Sequence, residues 1–329
     1  MSNTKDRHRR QSKSPSGLVF AGVALISLGG GCSKDEPPAP AGPDFSIAPA
    51  ANDKAFLSPF DAVPDPDGNG GVYFTAISPG EGAAVFKAGA DGAAPTKLFA
   101  GAPLVSPFGI TISDDGQTLF VADVGAETET EEGGMIFSLP VAGGTPFIVK
   151  GTEGTMPRGL EIQGDQIYYS GTSGKRPKAL PAVFKIPVAG GAPAVLASGL
   201  PLKDPSGIAV TKAGQVYVLD TAAADTKRAT VFTVADGVAT PFVADISVGY
   251  PGGIALSLDD KSLLVSALDA TLARDIVYVV SIATKEMAPF NKSIDKFYES
   301  AGLHRARRAG TFAWADRRAN KTGTVFVLK

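Results

Sequence analysis

The residues best suited to chemistry in this 329-residue chain are few, and some recur at a near-constant spacing. Aspartate closes a short apolar run at Asp123, Asp220 and Asp316, 97 and 96 residues apart. Three carboxylates brought to one point would supply the hard oxygen ligands that a divalent cation such as Ca2+ requires, and would equally hold a cationic ligand. The plainer expectation, which we favour, is that each accepts bonds from nearby backbone N–H groups and holds the loop that follows it. A second set is Arg158, Glu161, His304 and Arg305, polar residues on segments that otherwise read as apolar. Together they could bind an anion or act as an acid–base cluster; the alternative is a satisfied salt-bridge network lining a wet channel. His304 is the only histidine beyond residue 31, which argues against a histidine-rich zinc site or a triad needing a second imidazole. The single cysteine, Cys32, excludes an intrachain disulfide.

These residues sit in a degenerate repeat. The clearest copies are SPFGITISDDGQTLFVAD from Ser106, DPSGIAVTKAGQVYVLD from Asp204 and YPGGIALSLDDKSLLVSALD from Tyr250. Weaker ones begin at Ser58, Met156 and Ser300. The anchoring prolines are Pro59, Pro107, Pro157, Pro205 and Pro251, with Ala301 in the sixth place, at spacings of 46 to 50 residues. Each copy reads as a short alternating strand after Pro-x-Gly, a glycine turn, and a second strand rich in β-branched and aromatic residues. A variable loop then leads to a third strand of the type Ala182-Val-Phe-Lys, and a turn to a fourth. Four antiparallel strands per period of about 48 residues fit the blade of a propeller. The fold class expected is therefore all-β, a six-bladed propeller. A β-sandwich or two small β-domains would explain the strands but not six copies in phase. The sixth copy ends after its third strand, so residues 44–49 are expected to supply the fourth.

The N-terminus reads differently. A basic stretch with Lys5, Arg7, Arg9, Arg10 and Lys13 precedes an apolar run from Gly17 to Leu28, too short to span a bilayer as a helix. Gly29, Gly30 and Gly31 then lead to Cys32. This arrangement resembles a bacterial lipoprotein signal, except that Leu28 stands four positions before the cysteine rather than three. The resemblance implies cleavage after residue 31, lipid on Cys32, and a membrane anchor. Ser33, rather than aspartate, after the cysteine points by the same resemblance to the outer membrane. Residues 32–43 are proline-rich and suit a semi-rigid tether. Residues 44–329 form the propeller. Without residues 1–31 the net charge falls from −2 to −6, which gives no electrostatic reason to expect nucleic acid as a partner.

Pro-x-Gly-Ile, a glycine turn and Val-Tyr-Val-x-Asp resemble the NHL-repeat and SMP-30/gluconolactonase-like six-bladed propellers, over residues 56–329. The resemblance implies the fold, and in the enzymes of that group a divalent cation, usually calcium, held in the channel by one Glu, two Asn and one Asp. The asparagines here are Asn3, Asn52, Asn69, Asn291 and Asn320, none on an expected inner strand. Charged runs (Glu127, Glu129, Glu131 and Glu132; Lys175, Arg176 and Lys178; Arg317, Arg318 and Lys321 after Arg305, Arg307 and Arg308) are read as loops sharing one face, mostly solvated and able to meet a protein partner. The expected function is a lipid-anchored envelope module that binds a protein or small molecule. The alternative is a calcium-dependent hydrolase whose ligands come from Asp123, Asp220, Asp316 and Glu161.

Overall fold

The computed structural model describes residues 46–329 apart from 91, 132, 176, 223–227, 270–273 and 290–299. The signal segment, Cys32, the tether, Asp44 and Phe45, and two of the loop charges, Glu132 and Arg176, lie outside the described residues.

The first strand, β1 (Ile47–Ala51), belongs to the last blade. Blade one is β2 (Leu57–Pro64), β3 (Val72–Ser78), β4 (Gly82–Ala88) and β5 (Thr96–Ala100). Blade two is β6 (Pro107–Ile112), β7 (Thr118–Asp123), β8 (Met135–Pro140) and β9 (Phe147–Ile148). Blade three is β10 (Leu160–Gln163), β11 (Gln166–Ser173), β12 (Leu180–Pro187) and β13 (Ala194–Ser198). Blade four is β14 (Pro205–Val210), β15 (Val216–Asp220), β16 (Ala229–Ala235) and β17 (Val238–Ile246). Blade five is β18 (Ile254–Leu256), β19 (Ser262–Asp269), β20 (Arg274–Ser281) and β21 (Met287–Pro289). Blade six is β22 (Ser300–Arg305), β23 (Phe312–Asp316) and β24 (Thr324–Leu328), completed by β1 at its outer edge.

Among the described residues the closing strand reaches two residues past the expected end at 49. It begins at Ile47, opposite Leu328, and runs to Ala51, opposite Val325. Its register slips between Pro49 and Ala51, where proline brings no N–H to the ladder. Ser46 and Lys329 exchange both backbone bonds at 2.7 and 3.0 Å, which extends the pairing by one residue.

The Val-Phe motif of the third strands has a packing role. Phe86 lies directly across from Phe74, Phe184 from Tyr169, and Phe326 from Trp314. The ring centroids are 5.3, 4.8 and 5.1 Å apart and nearly parallel. Such cross-strand pairs stabilise a sheet by about 0.5–1.5 kcal/mol beyond the area they bury. The core itself lies between blades. Val63, Tyr73 and Val85 of blade one pack on Ile110, Leu119 and Phe137 of blade two. The same holds around the ring to Ala313, Val325 and Val327 of blade six against Phe74 and Phe86 of blade one. Each sheet is apolar on both faces, so no blade is stable without its neighbours.

Candidate functional site

The inner strands explain the Pro-x-Gly motif. At Gly207 an added Cβ would stand 2.6 Å from the carbonyl oxygen of Gly252 on the next blade. At Gly109 and Gly159 it would sit closer still to the carbonyls of Arg158 and Ser206, and at Gly253 to the backbone of Gly302. Blades two to six thus approach one another in turn, backbone to backbone near the axis, and only glycine fits at these four positions. The first and sixth copies break the pattern, with Asp61 and Leu303 at the corresponding positions. Both breaks lie where the ring closes.

Asp61 was not among the residues singled out from the sequence, yet it occupies the centre of the structure. It is 2% exposed and His304 is 5% exposed. The Nε2 atom of His304 lies 2.9 Å from Asp61 Oδ2. The same oxygen accepts the N–H of Ile110 from blade two at 2.9 Å, and Oδ1 accepts the N–H of Ala62 at 2.8 Å. The glycine at 302, with φ of +56°, leaves the room that Asp61 fills. Around this pair, with Phe108, Arg158, Ser206 and Gly252 in the lining, the axial cavity measures only about 10 Å³. That is close to the least volume that admits one water.

The far end of the axis is closed by an arginine hairpin. Arg305, Arg307 and Arg308 were read as part of one loop-bearing face. Arg305 instead ends β22, and Arg307 and Arg308 lie in the connection to β23, at the opposite end from Asp316, because Arg305 pairs with Phe312 in the blade register while Asp316 pairs with Ser300. The Arg307 guanidinium crosses from blade six to blades two and three. It pairs with Glu161 and donates to Thr111 Oγ1 and the Ile162 carbonyl at 2.8 Å, and to the Ile112 carbonyl at 3.2 Å. Arg305 donates to the Leu256 carbonyl of blade five at 2.9 Å and to the Ala306 carbonyl in its own hairpin at 2.6 Å. Arg308 pairs with Asp67 at 2.6 Å and donates to the Asp114 carbonyl at 2.9 Å.

The four polar candidates therefore do not form one cluster. Glu161 and Arg305 belong to this closed end, His304 to the middle, and Arg158 to the other mouth, where it pairs with Asp204. That mouth is aromatic. Phe60 stacks on Phe108 at 5.3 Å, and Tyr250 meets Phe108 edge-on at 5.6 Å. Arg158 lies over the Tyr250 ring at 5.9 Å and Arg317 over Phe60 at 4.8 Å.

Asp123, Asp220 and Asp316 each serve their own blade. Asp123 accepts the N–H groups of Val105, Ser106, Gly125 and Ala126 at 2.7 to 3.1 Å. Asp220 accepts those of Lys203, Asp204 and Ala222 at 2.7 to 3.0 Å. Asp316 accepts those of Arg318 and Ala319 at 2.7 and 2.6 Å. Burial pushes the carboxyls of Asp123 and Asp220 up, and the backbone N–H bonds pull against it. Among the described residues no three side chains of His, Cys, Asp or Glu are gathered in a way that could hold a metal ion. A calcium ion takes six to eight oxygens at one point; the donor set here does not fit it. The loops of blades two and three bound a groove of about 360 Å³, with Glu127, Glu129 and Glu131 among the lining residues from one blade and Lys175 from the other.

The sequence matches no protein-family model and no curated protein. The fold matches solved propellers. A chain of the nidogen/laminin complex is 18% identical, with 75% of this chain and 84% of that one covered and a TM-score of 0.57. TolB from Acinetobacter baumannii is 10% identical, with 72% and 55% covered and a TM-score of 0.53, so this chain spans about half of it. A gluconolactonase from Xanthomonas campestris is 14% identical, with 88% and 98% covered and a TM-score of 0.57. The same architecture thus occurs in a chain of a protein complex and in an enzyme, and these identities carry the fold alone.

Proposed function

We propose that this protein is a lipid-anchored module of the bacterial cell envelope, held to the outer membrane through Cys32, whose propeller binds a protein or small molecule at its loop-rich mouth without transforming it. The observation that carries the reading is the filled axis. With a cavity of about 10 Å³ at Asp61 and His304, and Arg307 paired with Glu161 across the far end, the described residues leave no substrate-sized volume around this pair. A ligand is left the outer mouth, with its aromatic floor and its charged loops. The fold is shared with a chain of a nidogen/laminin complex, where the propeller belongs to a protein–protein assembly.

Lactones and phosphate or carboxylate esters are expected to show no turnover above the protein-free rate, with or without millimolar calcium. Calcium is also expected to leave the melting temperature unchanged. A cation at a hundred times its dissociation constant would stabilise the fold by about 2.7 kcal/mol. Calcium-dependent turnover, or a calcium-induced rise in melting temperature, would overturn the reading in favour of a hydrolase with ligands drawn from Asp123, Asp220, Asp316 and Glu161.

The anchor has its own test. Cys32→Ser is expected to move the protein from the membrane to the soluble fraction, with loss of incorporated fatty acid. A Cys32→Ser chain that stays membrane-bound sinks the lipid anchor.

A further inference from the structure

Ring closure in this molecule is non-covalent at one place. The chain passes from β1 directly into blade one, while β24 ends blade six. The two are joined by hydrogen bonds between β1 and β24 and by packing of blade six on blade one. At the axis of that same junction lies the pair Asp61 and His304, one from β2 and one from β22.

We propose that Asp61 and His304 act as a proton-operated bolt between the first and last blades, so that closure of the ring tightens when His304 carries its proton and loosens when the proton is lost. The geometry supplies both halves of the device. Asp61 bonds three strands at once: its own through Ala62, blade two through Ile110, and blade six through His304. The imidazole is buried beside a carboxylate that has no other charged partner at hydrogen-bonding distance among the described residues.

The charged groups around His304 come from three elements. Asp61 on β2 faces its Nε2 atom, Glu161 on β10 lies beyond it, and Arg307 follows from the end of β22. Arg158 lines the same small cavity from the mouth. Burial disfavours the imidazolium. The charge and hydrogen bond of Asp61, helped by the charge of Glu161 and opposed by Arg307, outweigh that, so His304 titrates above the ordinary 6.5 of histidine. Because the folded value lies above the unfolded one, the contribution is complete below about pH 6.5 and is lost as pH rises through the folded value.

The test is the stability of the full chain between pH 5.5 and 9, in the wild type, His304→Gln and Asp61→Asn. The wild-type ratio of folded to unfolded is expected to fall with rising pH in this window, by up to about tenfold per unit, the limit for one proton. His304→Gln and Asp61→Asn remove this component of the slope. A slope unchanged in His304→Gln overturns the proposal. Should the variants fail to fold, the unsubstituted chain still decides. The Cε1–H resonance of His304, the one histidine beyond the proposed cleavage point, is expected to titrate above 6.5. The opening free energy from exchange of the Ile110 amide should fall along with its titration. A His304 resonance titrating at or below 6.5, or Ile110 protection independent of that titration, also overturns it.

Discussion

Gly159→Ala is expected to cost at least about 3 kcal/mol, a large part of an ordinary domain's stability of about 5–15 kcal/mol. Overpacking a well-filled interior costs about 1–3 kcal/mol when side chains can move aside, and more when they cannot. Here the obstacle is the carbonyl of Ser206 and, 2.9 Å away, the Cα of Gly207, both backbone of an inner strand. Relief would require blades three and four to separate at the axis, where the packing of Tyr168 and Val183 on Ile208 and Val218 begins. Gly310 is the matched control. It lies in the blade-six hairpin, has no atom within 4 Å of an added Cβ, and does not have a positive φ. Gly310→Ala should be neutral or stabilising by about 0.4–1 kcal/mol. Urea denaturation of the two variants beside the wild type measures both. Equal stabilities would mean that the close approach of the inner strands does not constrain the ring.

Arg307→Ala is expected to destabilise the protein by about 3–5 kcal/mol, the cost of removing one member of a buried ion pair and leaving the other charged. Both side chains are 13% exposed. The loss also strips Thr111 Oγ1 and the carbonyls of Ile112 and Ile162 of a donor. Glu161→Gln in the same chain should recover part of the loss, since a neutral amide has a smaller desolvation cost than an unpaired carboxylate. A double-mutant cycle reads this directly. If Arg307→Ala alone costs less than about 1 kcal/mol, the hairpin is an ordinary solvated loop and the axis is open at that end.

The architecture was legible because it is periodic. Six copies at a spacing of 46 to 50 residues, a missing final strand and a β-type segment before the first copy together dictate a closed ring. What stayed hidden is what the ring does to residues far apart in sequence. His304 meets Asp61 across 243 positions, and no local pattern announces such a contact. The one available signal was the departure of the first copy from Pro-x-Gly, since Asp61 stands where Gly109, Gly159, Gly207 and Gly253 stand elsewhere. Arg307 reads as one charge in the run RARR, and its burial follows only from the hairpin folding across the axis. Arg158 and Glu161 group in the sequence with His304 and Arg305 as polar residues on otherwise apolar inner segments. An inner strand rises about 3.3 Å per residue along the axis, so they belong to different levels of the channel. The backbone bonds of the aspartates at the ends of the second strands match the favoured reading, because Asp before a loop has an intrinsic preference for backbone N–H groups.

The way the chain enters the ring sets how it would carry a mechanical load. Ser46 stands at the hairpin end of blade six, while Asp316 and the loop that follows stand at the other. A pull on the N-terminus opposed by a partner seated at the loops would draw β1 lengthwise past β24. In an antiparallel pair the hydrogen bonds lie perpendicular to the strands, so such a load is shared among all of them at once instead of breaking them one by one. The strand that completes the last blade is thereby oriented to resist in shear.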